Sequence, residues 1–352
     1  MNKRGLIRMC FILLRLAAAS LALYLLTGHA ADVHDHHDST AHDHFGTEPI
    51  GVMGAHLHGP GDWMISLRAM RMDMDGNRDG TRRMSPADVF SEGYMVAPEH
   101  MTMDMQMPGV MYGISTDLTV MLMLPRVELE MDHVTAAGAR FTTRSSGIGD
   151  VRLSGLYRLG QWGMHQLNLN AGISVPTGSI NEKDDTPMGA NQHLPCPMQP
   201  GSGPRDLMPG LTLLGQETQL SWGLQGIAVL RLGENDNDYT PGDRCNLTGW
   251  ITRTWAPDWL TSLRLDGQWW GDIEGSDRKI PPMMARGVPT ADPDLRGGRR
   301  VDLLLGAAFT PRAGLLRGQR LGVEYGRPVY QNLDGPQLET DWTVTLGWQL
   351  LL

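Results

Sequence analysis

The segment that follows the first thirty residues is dense in histidine and aspartate. It reads DVHDHHDSTAHDH from residue 32 to residue 44, and its histidines are His34, His36, His37, His42 and His44. Imidazoles at this density, on a chain without a preformed fold, can close around Zn²⁺, Cu²⁺ or Ni²⁺. The same composition also suits an acidic tail that only keeps the N-terminus hydrated. The sequence therefore predicts either a metal-binding arm or a solvated one.

Methionine supplies a second set of candidate ligands. Fourteen of the 23 methionines lie between Met64 and Met131, and residues 101–107 read MTMDMQM, with methionine at every second position. Thioether sulfur is a soft ligand that suits Cu(I) and Ag(I). Methionine is also a flexible apolar side chain that fills space or faces lipid. The side of the strand on which each methionine lies decides between these roles.

A catalytic site is not predicted. The histidines outside the N-terminal part are His100, His133, His165 and His193, and none lies in a nucleophile motif such as G-x-S-x-G. A hydrolase needs a nucleophile, a base and an orienting group that converge. We therefore expect no enzymatic activity.

The first residues have the pattern of a secretory signal peptide. Three basic residues precede CFILLRLAAASLALYLL, and TGHAAD offers small residues for cleavage near Ala30. Arg15 shortens the apolar run below the roughly 20 residues of a membrane-spanning helix. We predict a signal peptide over residues 1–30 and, because apolar periodicity is missing there, a disordered His-rich periplasmic arm over residues 31–60.

Export determines the expected state of the cysteines. Cys10 leaves with the signal peptide, so Cys196 and Cys245 remain in an oxidising compartment, where a disulfide is the natural pairing. A cysteine metal site would need more thiolates or nearby histidines than HLPCPM and GDRCNL provide. We predict a disulfide between Cys196 and Cys245.

From Trp63 to the end of the chain, apolar and polar residues alternate, as in DLTVMLMLP and GDVRLSGLYRL. We count twelve such strands, joined by connections that are alternately short and long. An even number of strands of ~10 residues with this alternation is the layout of an antiparallel outer-membrane β-barrel. For residues 61–352 we therefore predict an all-β transmembrane barrel of about 12 strands, with short periplasmic turns and long extracellular loops.

The positions of tryptophan favour the barrel, because they lie beside the short turns and beside the long loops, as two interfacial girdles would. A secreted β-sandwich is the alternative, since it also consists of alternating strands. The formal net charge of -9 argues against nucleic acid as a partner.

Strand parity assigns the candidate residues to the two faces of the barrel. The methionines on polar faces, which we predict to be metal ligands in the lumen, are Met70, Met72, Met121 and Met123. In MTMDMQM the intervening residues are polar, so the four methionines of residues 101–107 are expected to face lipid. A one-residue bulge would reverse that assignment.

Charged residues on the same polar faces are predicted to line the lumen. They are Arg68, Asp150, Arg152, Arg264, Asp266 and Glu324. Mixed charges that face each other across a barrel form structural ion pairs or a selectivity filter. A bore of twelve strands is narrow, so a loop can plug it.

Several stretches resemble a group of bacterial outer-membrane transporters loosely grouped with the meta-pathway phenol-degradation family. They include SSGIGDVRLSGLYRL, LNAGISVPTGSINEKDDTPMG and QNLDGPQLETDW, and the likeness extends from about residue 61 to the C-terminus. GIGDVRLSGLY followed by PTGS is its most specific part. The resemblance implies an outer-membrane channel and hardly defines a substrate. The His- and Met-rich composition is similar to that of the outer-membrane components of copper resistance.

Taken together, these features predict an outer-membrane channel or transport component for small solutes, linked to copper or other transition-metal handling through its His/Met-rich N-terminal part. The alternative is a closed structural or surface-interaction barrel without transport activity. The expected partners are outer-membrane lipid, a small solute or metal ion, and the barrel-assembly machinery. No cofactor is required, and Cu or Zn ions are the ligands the arm would bind.

Overall fold

The computed structural model describes residues 46–352, in which the regular structure is almost entirely antiparallel β-strand. The predicted signal peptide and the five histidines of the arm lie outside these residues. The strands are β1 Trp63–Gly80, β2 Arg82–Met84, β3 Val96–Ser115, β4 Leu118–Met123, β5 Arg126–Thr135, β6 Arg140–Ile148, β7 Val151–Trp162, β8 His165–Val175, β9 Lys183–Thr186, β10 Gly189–His193, β11 Arg205–Gln216, β12 Leu220–Leu232, β13 Tyr239–Thr240, β14 Arg244–Ala256, β15 Trp259–Trp270, β16 Glu274–Gly275, β17 Gly298–Phe309 and β18 Gln319–Leu351.

The helices in this part of the chain are short and lie in the connections. The α-helices are α1 Pro86–Ser91 and α2 Pro282–Gly287, and the 3₁₀ turns are Cys196–Met198, Pro289–Ala291, Pro293–Leu295 and Gly314–Leu316. Between residues 46 and 352 no helix has the length and apolar character needed to cross a membrane.

Eleven strands form a closed wall. Their order is β1, β18, β17, β15, β14, β12, β11, β8, β7, β4 and β3, and β3 pairs again with β1. Closure leaves no row of unpaired N–H and C=O groups, which a sheet in lipid could not satisfy.

The last strand, β18, runs the height of the wall twice. Its first half pairs with β17, where Leu321 lies opposite Phe309, and its second half pairs with β1, where Leu351 lies opposite Met64. The two halves meet again at their ends, because the Leu351 N–H donates to the carbonyl oxygen of Gly318 at 2.8 Å. With β18 counted twice, the eleven strands run the height of the wall twelve times. This confirms the predicted barrel.

Three outer strands extend the wall at the end where the long connections lie, which we call the long-loop end. There β5 pairs with the first half of β3, β6 pairs with β5, and β2 pairs with β1. The opposite end, where the connections are short, is called the short-turn end.

The outer surface carries an apolar belt. Outward side chains with about half of their surface exposed include Leu122, Leu263, Leu305 and Leu346. The exposed tryptophans near the short-turn end are Trp63, Trp255 and Trp259. A continuous apolar surface of this kind, bordered by aromatic rings, fits a lipid environment.

On β1 and β3 the apolar belt ends abruptly. Ile65 and Leu67 are exposed on the outer face of β1, but Arg71 on the same face is paired with Asp104 of β3 at 3.2 Å. Further ion pairs continue this outer surface on β5 and β6, between Arg126 and Glu128 and between Arg144 and Glu130. Above this level the outside of the sheet therefore faces water.

This change of medium reverses the orientation predicted for MTMDMQM. Directly opposed residues of an antiparallel pair share a face, and Met105 lies opposite Met70 while Met103 lies opposite Met72. Asp104 therefore points to external water and the methionines point inward. The prediction that Met101, Met103, Met105 and Met107 face lipid is wrong, because a polar face marks the lumen only where lipid lies outside. The inward orientation predicted for Met70, Met72, Met121 and Met123 agrees with the structure.

Residues 46–60, which we call the plug segment, also differ from the prediction. The sequence predicts them to be part of the disordered arm of residues 31–60, yet Ile50, Val52 and Ala55 are buried inside the barrel. Residues 31–45 of the predicted arm lie outside the described residues.

The reversed orientation of residues 101–107 predicts a difference in chemical labelling. With the other cysteines replaced by serine, Asp104→Cys should react rapidly with a large, membrane-impermeant maleimide on intact cells. Met103→Cys should react slowly, because its side chain points into the barrel. Gel shift of the labelled protein measures both rates, and faster labelling at position 103 would contradict the assignment.

Candidate functional site: the lumen and the plug segment

Amide side chains on the inner face of the wall bind the main chain of the plug segment. The alternation of β8 and β12 turns Asn168, Asn170 and Gln225 inward, where they are buried. The hydrogen bonds run from Asn168 Nδ2 to Ala55 O at 2.9 Å, from Asn170 Nδ2 to Gly54 O at 2.7 Å, and from Gln225 Nε2 to Met53 O at 3.0 Å. Such bonds hold a segment that has no regular structure of its own, each with a net contribution of about 1 kcal/mol.

Two arginines hold the beginning of the plug segment. Arg68 Nε donates to the carbonyl oxygen of Ile50 at 2.8 Å, and Arg320 Nη2 donates to the carbonyl oxygen of Glu48 at 2.5 Å. The Glu48 carboxylate lies 3.8 Å from Arg320 and 2.7 Å from His56 Nδ1. The buried charges of the wall and of the plug segment therefore compensate each other.

Close apolar contacts complete the attachment. Val52 and Ala55 pack against Trp250 of β14. Ile50 lies against Gly322 and Gly347 of β18, where an added Cβ would come within 2.8 Å and 2.2 Å of the Ile50 side chain. Only glycine permits this approach.

The contacts of the plug segment are distributed around the barrel. On the side of β4, the His58 N–H donates to Thr119 Oγ1 at 2.8 Å, whereas Arg68, Gln225 and Trp250 lie on β1, β12 and β14. The plug segment thus spans the lumen near the short-turn end. Sequence reasoning missed the asparagines and the glutamine that hold it, although they occupy the inward positions of HQLNLNAGISVP and LSWGLQGIAVL.

A buried ion cluster lies beside the plug segment. Arg264 donates through Nε and Nη2 to the two carboxylate oxygens of Glu324, each at 2.8 Å, and Nη1 lies 3.2 Å from Asp266. The Glu324 side chain has no exposed surface. Three of the predicted lumen residues thus meet in one structural cluster, in which the bidentate pairing compensates the buried charges.

Asp150 and Arg152 differ in role although they are close in sequence. Asp150 accepts hydrogen bonds from the N–H groups of Gly178 and Ser202, at 3.0 and 2.8 Å, and so anchors two loop segments. Arg152 lies opposite Met123 on the inner face, yet its side chain is exposed. An exposed side chain on the inner face indicates water in the lumen at this level.

The inward methionines pack together at the long-loop end. Met101 and Met131 form a buried cluster with Leu194 and Met198 of a long loop, and Met103 is among the partly buried residues against it. Met121 and Met123 lie in a second cluster nearer the short-turn end, which the plug segment joins through Met53 and Leu57. The sequence pattern predicted thioethers in the lumen, and the structure adds those of β3.

The predicted disulfide is absent, because Cys196 is a free cysteine. Cys245 packs with Ala228 and Trp269 on the outward face of β14, the face that also carries the exposed Trp255. Cys196 lies in a loop beside Met198, which packs on the inner side of the wall. Burial raises the pKa of the Cys196 thiol. The wall therefore separates the two cysteines that we expected to pair.

In the part of the chain between residues 46 and 352, no three His, Cys, Asp or Glu side chains are grouped so that they could hold a metal ion. The predicted ligands His34, His36, His37, His42 and His44 precede this part. Within residues 46–352, the inward thioethers remain as candidate metal ligands.

Comparison with known proteins extends these observations. The family model described as MetA-pathway of phenol degradation matches residues 88–287. The COG4313 outer membrane channel from Pseudomonas putida F1 is similar in structure, with a TM-score of 0.61 at 14% identity, over 86% of this chain and 100% of that chain. A search of the curated proteins finds no match.

More distant structures share only the general architecture. The translocator domain of the autotransporter NalP from Neisseria meningitidis has a TM-score of 0.42 at 12% identity, over 83% of this chain and 89% of that chain. The KdgM porin has a TM-score of 0.39 at 10% identity, over 82% and 98%. The fold is that of an outer-membrane β-barrel, with short turns at one end and long loops at the other.

The buried ion cluster makes a prediction about stability. Arg264→Met should destabilise the barrel by about 3 to 5 kcal/mol, because it leaves Glu324 buried without a compensating charge. The double variant Arg264→Met with Glu324→Leu should lose less stability, because no unpaired charge remains buried. Urea unfolding in lipid vesicles, followed by heat-modifiable gel mobility, measures both, and a larger loss in the double variant would contradict the pairing.

Proposed function

Since the chain belongs to the MetA-pathway of phenol degradation family, we propose that it is an outer-membrane channel for small solutes, closed at its periplasmic end by the plug segment. The observation that carries this proposal is the attachment of the plug segment by side-chain donors to main-chain carbonyl oxygens. Above the plug segment, the inner face carries the exposed Arg152. The proposal makes residues 46–60 a gate.

The hydrogen bonds that attach the plug segment suit a gate, because water can replace them when the segment leaves. A hydrogen bond from an amide to a main-chain carbonyl is nearly balanced by the bonds that both groups would make with water. Arg68, Arg320 and Glu48 would likewise be hydrated in an open lumen. A permanently closed structural barrel is the second candidate function, and the apolar contacts of Ile50 and Val52 favour it.

Planar-bilayer conductance distinguishes an openable channel from a sealed barrel. The full chain should conduct weakly, and deletion of residues 46–58 should raise the single-channel conductance several-fold, because the deletion removes the segment that spans the lumen. Heat-modifiable mobility verifies that the variant has assembled.

A second variant keeps the plug segment and weakens its attachment. Asn168→Ala combined with Asn170→Ala and Gln225→Ala should increase the open time without changing the conductance of the open state. If the deletion variant assembles and conducts no better than the full chain, the plug segment is not the gate and the sealed barrel is favoured.

Export and assembly complete the proposal. The pattern of residues 1–30 supports cleavage of a signal peptide near Ala30, and the closed sheet with its apolar belt supports insertion by the barrel-assembly machinery. In the membrane, the belt would be in contact with lipid and the lumen would admit the solute.

A link to copper or other transition metals is supported by composition and by the inward thioethers. Met70, Met72, Met121 and Met123 face the lumen, and thioethers suit Cu(I). The five histidines of residues 34–44 would collect an ion at the periplasmic entrance.

Replacing these five histidines by asparagine tests the metal link. The variant should lower the copper or zinc tolerance of the cell and the metal content of the purified protein, because imidazole ligands are lost. A protein in which only the aspartates between them are replaced by asparagine serves as the matched control. Unchanged tolerance and metal content would remove the metal part of the proposal and leave the channel intact.

A further inference from the structure

The lumen above the plug segment has two sides of different chemistry. One side is formed by three pairs of inward methionines that oppose each other on β1 and β3, namely Met70 with Met105, Met72 with Met103, and Met74 with Met101. We call these six residues the methionine wall. The other side carries inward arginines on β7, β12, β14 and β17, which we call the arginine wall and which are Arg152, Arg231, Arg244 and Arg300.

Strand register places Arg152 and Arg231 at the same height in the barrel. Arg152 lies opposite Ser174, Ser174 lies opposite Asp206, and Asp206 lies opposite Arg231. Directly opposed residues share a face, so all four side chains point inward. Asp206 and Arg231 are paired at 2.5 Å.

The other two arginines continue the same wall. Arg244 lies opposite Trp270 of β15, and two positions along that strand Gln268 lies opposite Arg300 of β17. Arg300 is paired with Asp302 at 3.0 Å. The arginine wall therefore runs continuously from β7 to β17.

Two residues of the arginine wall have no direct partner in the described part of the chain. Asp206 and Asp302 are already paired with Arg231 and Arg300. Within residues 46–352, Arg152 makes no hydrogen bond or ion pair, and the same is true of Arg244. Both side chains are exposed although they lie on the inner face. Two guanidinium groups are therefore available to an anion in the lumen.

The two walls meet at Arg300. Its Nη1 lies 3.9 Å from Met72 Sδ, and Thr340 Oγ1 lies 3.8 Å from the same sulfur. The positive charge of Arg300 at this distance disfavours a cation on Met72, so that Met70, Met121 and Met123 remain as the predicted thioether ligands. It suits a solute whose anionic end contacts arginine while its apolar part contacts the thioethers.

We infer that the lumen above the plug segment binds an organic carboxylate with an apolar body, held by Arg152 and Arg244 at one end and by the methionine wall at the other. This inference rests on the proposed channel function, since it names the class of solute that passes. A guanidinium binds a carboxylate through two parallel hydrogen bonds. The polarisable thioether packs well against aromatic groups.

Binding of four small probes to the purified full chain tests this inference. Benzoate has both features, acetate lacks the apolar body, benzyl alcohol lacks the charge, and benzylammonium reverses it. Titration calorimetry should give benzoate an affinity at least about tenfold higher than that of any other probe, because only benzoate meets both walls.

Matched variants separate the contribution of the two arginines to benzoate affinity from that of the methionine wall. Arg152→Gln with Arg244→Gln should weaken benzoate binding by about tenfold or more. Arg253→Gln should leave it unchanged, because Arg253 stacks on Trp255 on the outer face of β14. Met70→Gln with Met105→Gln should lower the affinity for benzoate toward that for acetate. Heat-modifiable mobility verifies that each variant has assembled.

Three outcomes would overturn the inference. Equal affinities for benzoate and acetate in the unaltered protein would remove the role of the methionine wall. Undiminished benzoate binding in the Arg152→Gln, Arg244→Gln variant would remove the role of the arginines, and preference for benzylammonium would reverse the charge of the solute. A plug deletion that fails to raise conductance while benzoate still binds would contradict the channel and leave this site standing.

Discussion

Closure of the sheet between β1 and β3 is the constraint on which the rest of this structure depends. In lipid every main-chain N–H and C=O group must be satisfied within the protein, and a ring of strands achieves this. The ring fixes an inside and an outside, and the register of Met64 with Met111 through Asp75 with His100 sets which side chains enter the lumen. The same register places Arg68 where it reaches the plug segment.

The polar side chains of the lumen and the main chain of the plug segment are hydrogen-bond partners of each other. Inward amides such as Asn170 have donors without partners on the wall, and a segment without regular structure has carbonyl oxygens without partners of its own. Each hydrogen bond contributes only about 1 kcal/mol, because water competes for both groups. The buried Arg264 and Glu324, by contrast, form a bidentate ion pair within the wall. Water can therefore replace the amide hydrogen bonds of the plug segment more easily than the buried ion pair of the wall.

The barrel could be predicted because lipid outside and a polar lumen inside impose a period of two on the wall strands. The orientation of Met103 could not, because the outer medium changes from lipid to water between Leu67 and Arg71 and the sequence pattern alone does not give the height of a strand in the membrane. The plug segment escaped prediction for a different reason. Its partners are main-chain groups bound by side chains far away in sequence, as between Gly54 and Asn170, which are 116 residues apart.

Cross-linking within the native outer membrane tests most directly whether residues 46–60 occupy the lumen. Val52 packs in one cluster with Leu214, which lies on the inner face of β11. In a protein without other cysteines, Val52→Cys and Leu214→Cys should be joined by a short thiol-specific cross-linker, whereas Val52→Cys and the outward Leu213→Cys should not. A cross-link to Leu213→Cys, or none to Leu214→Cys in a correctly assembled barrel, would contradict the location of the plug segment.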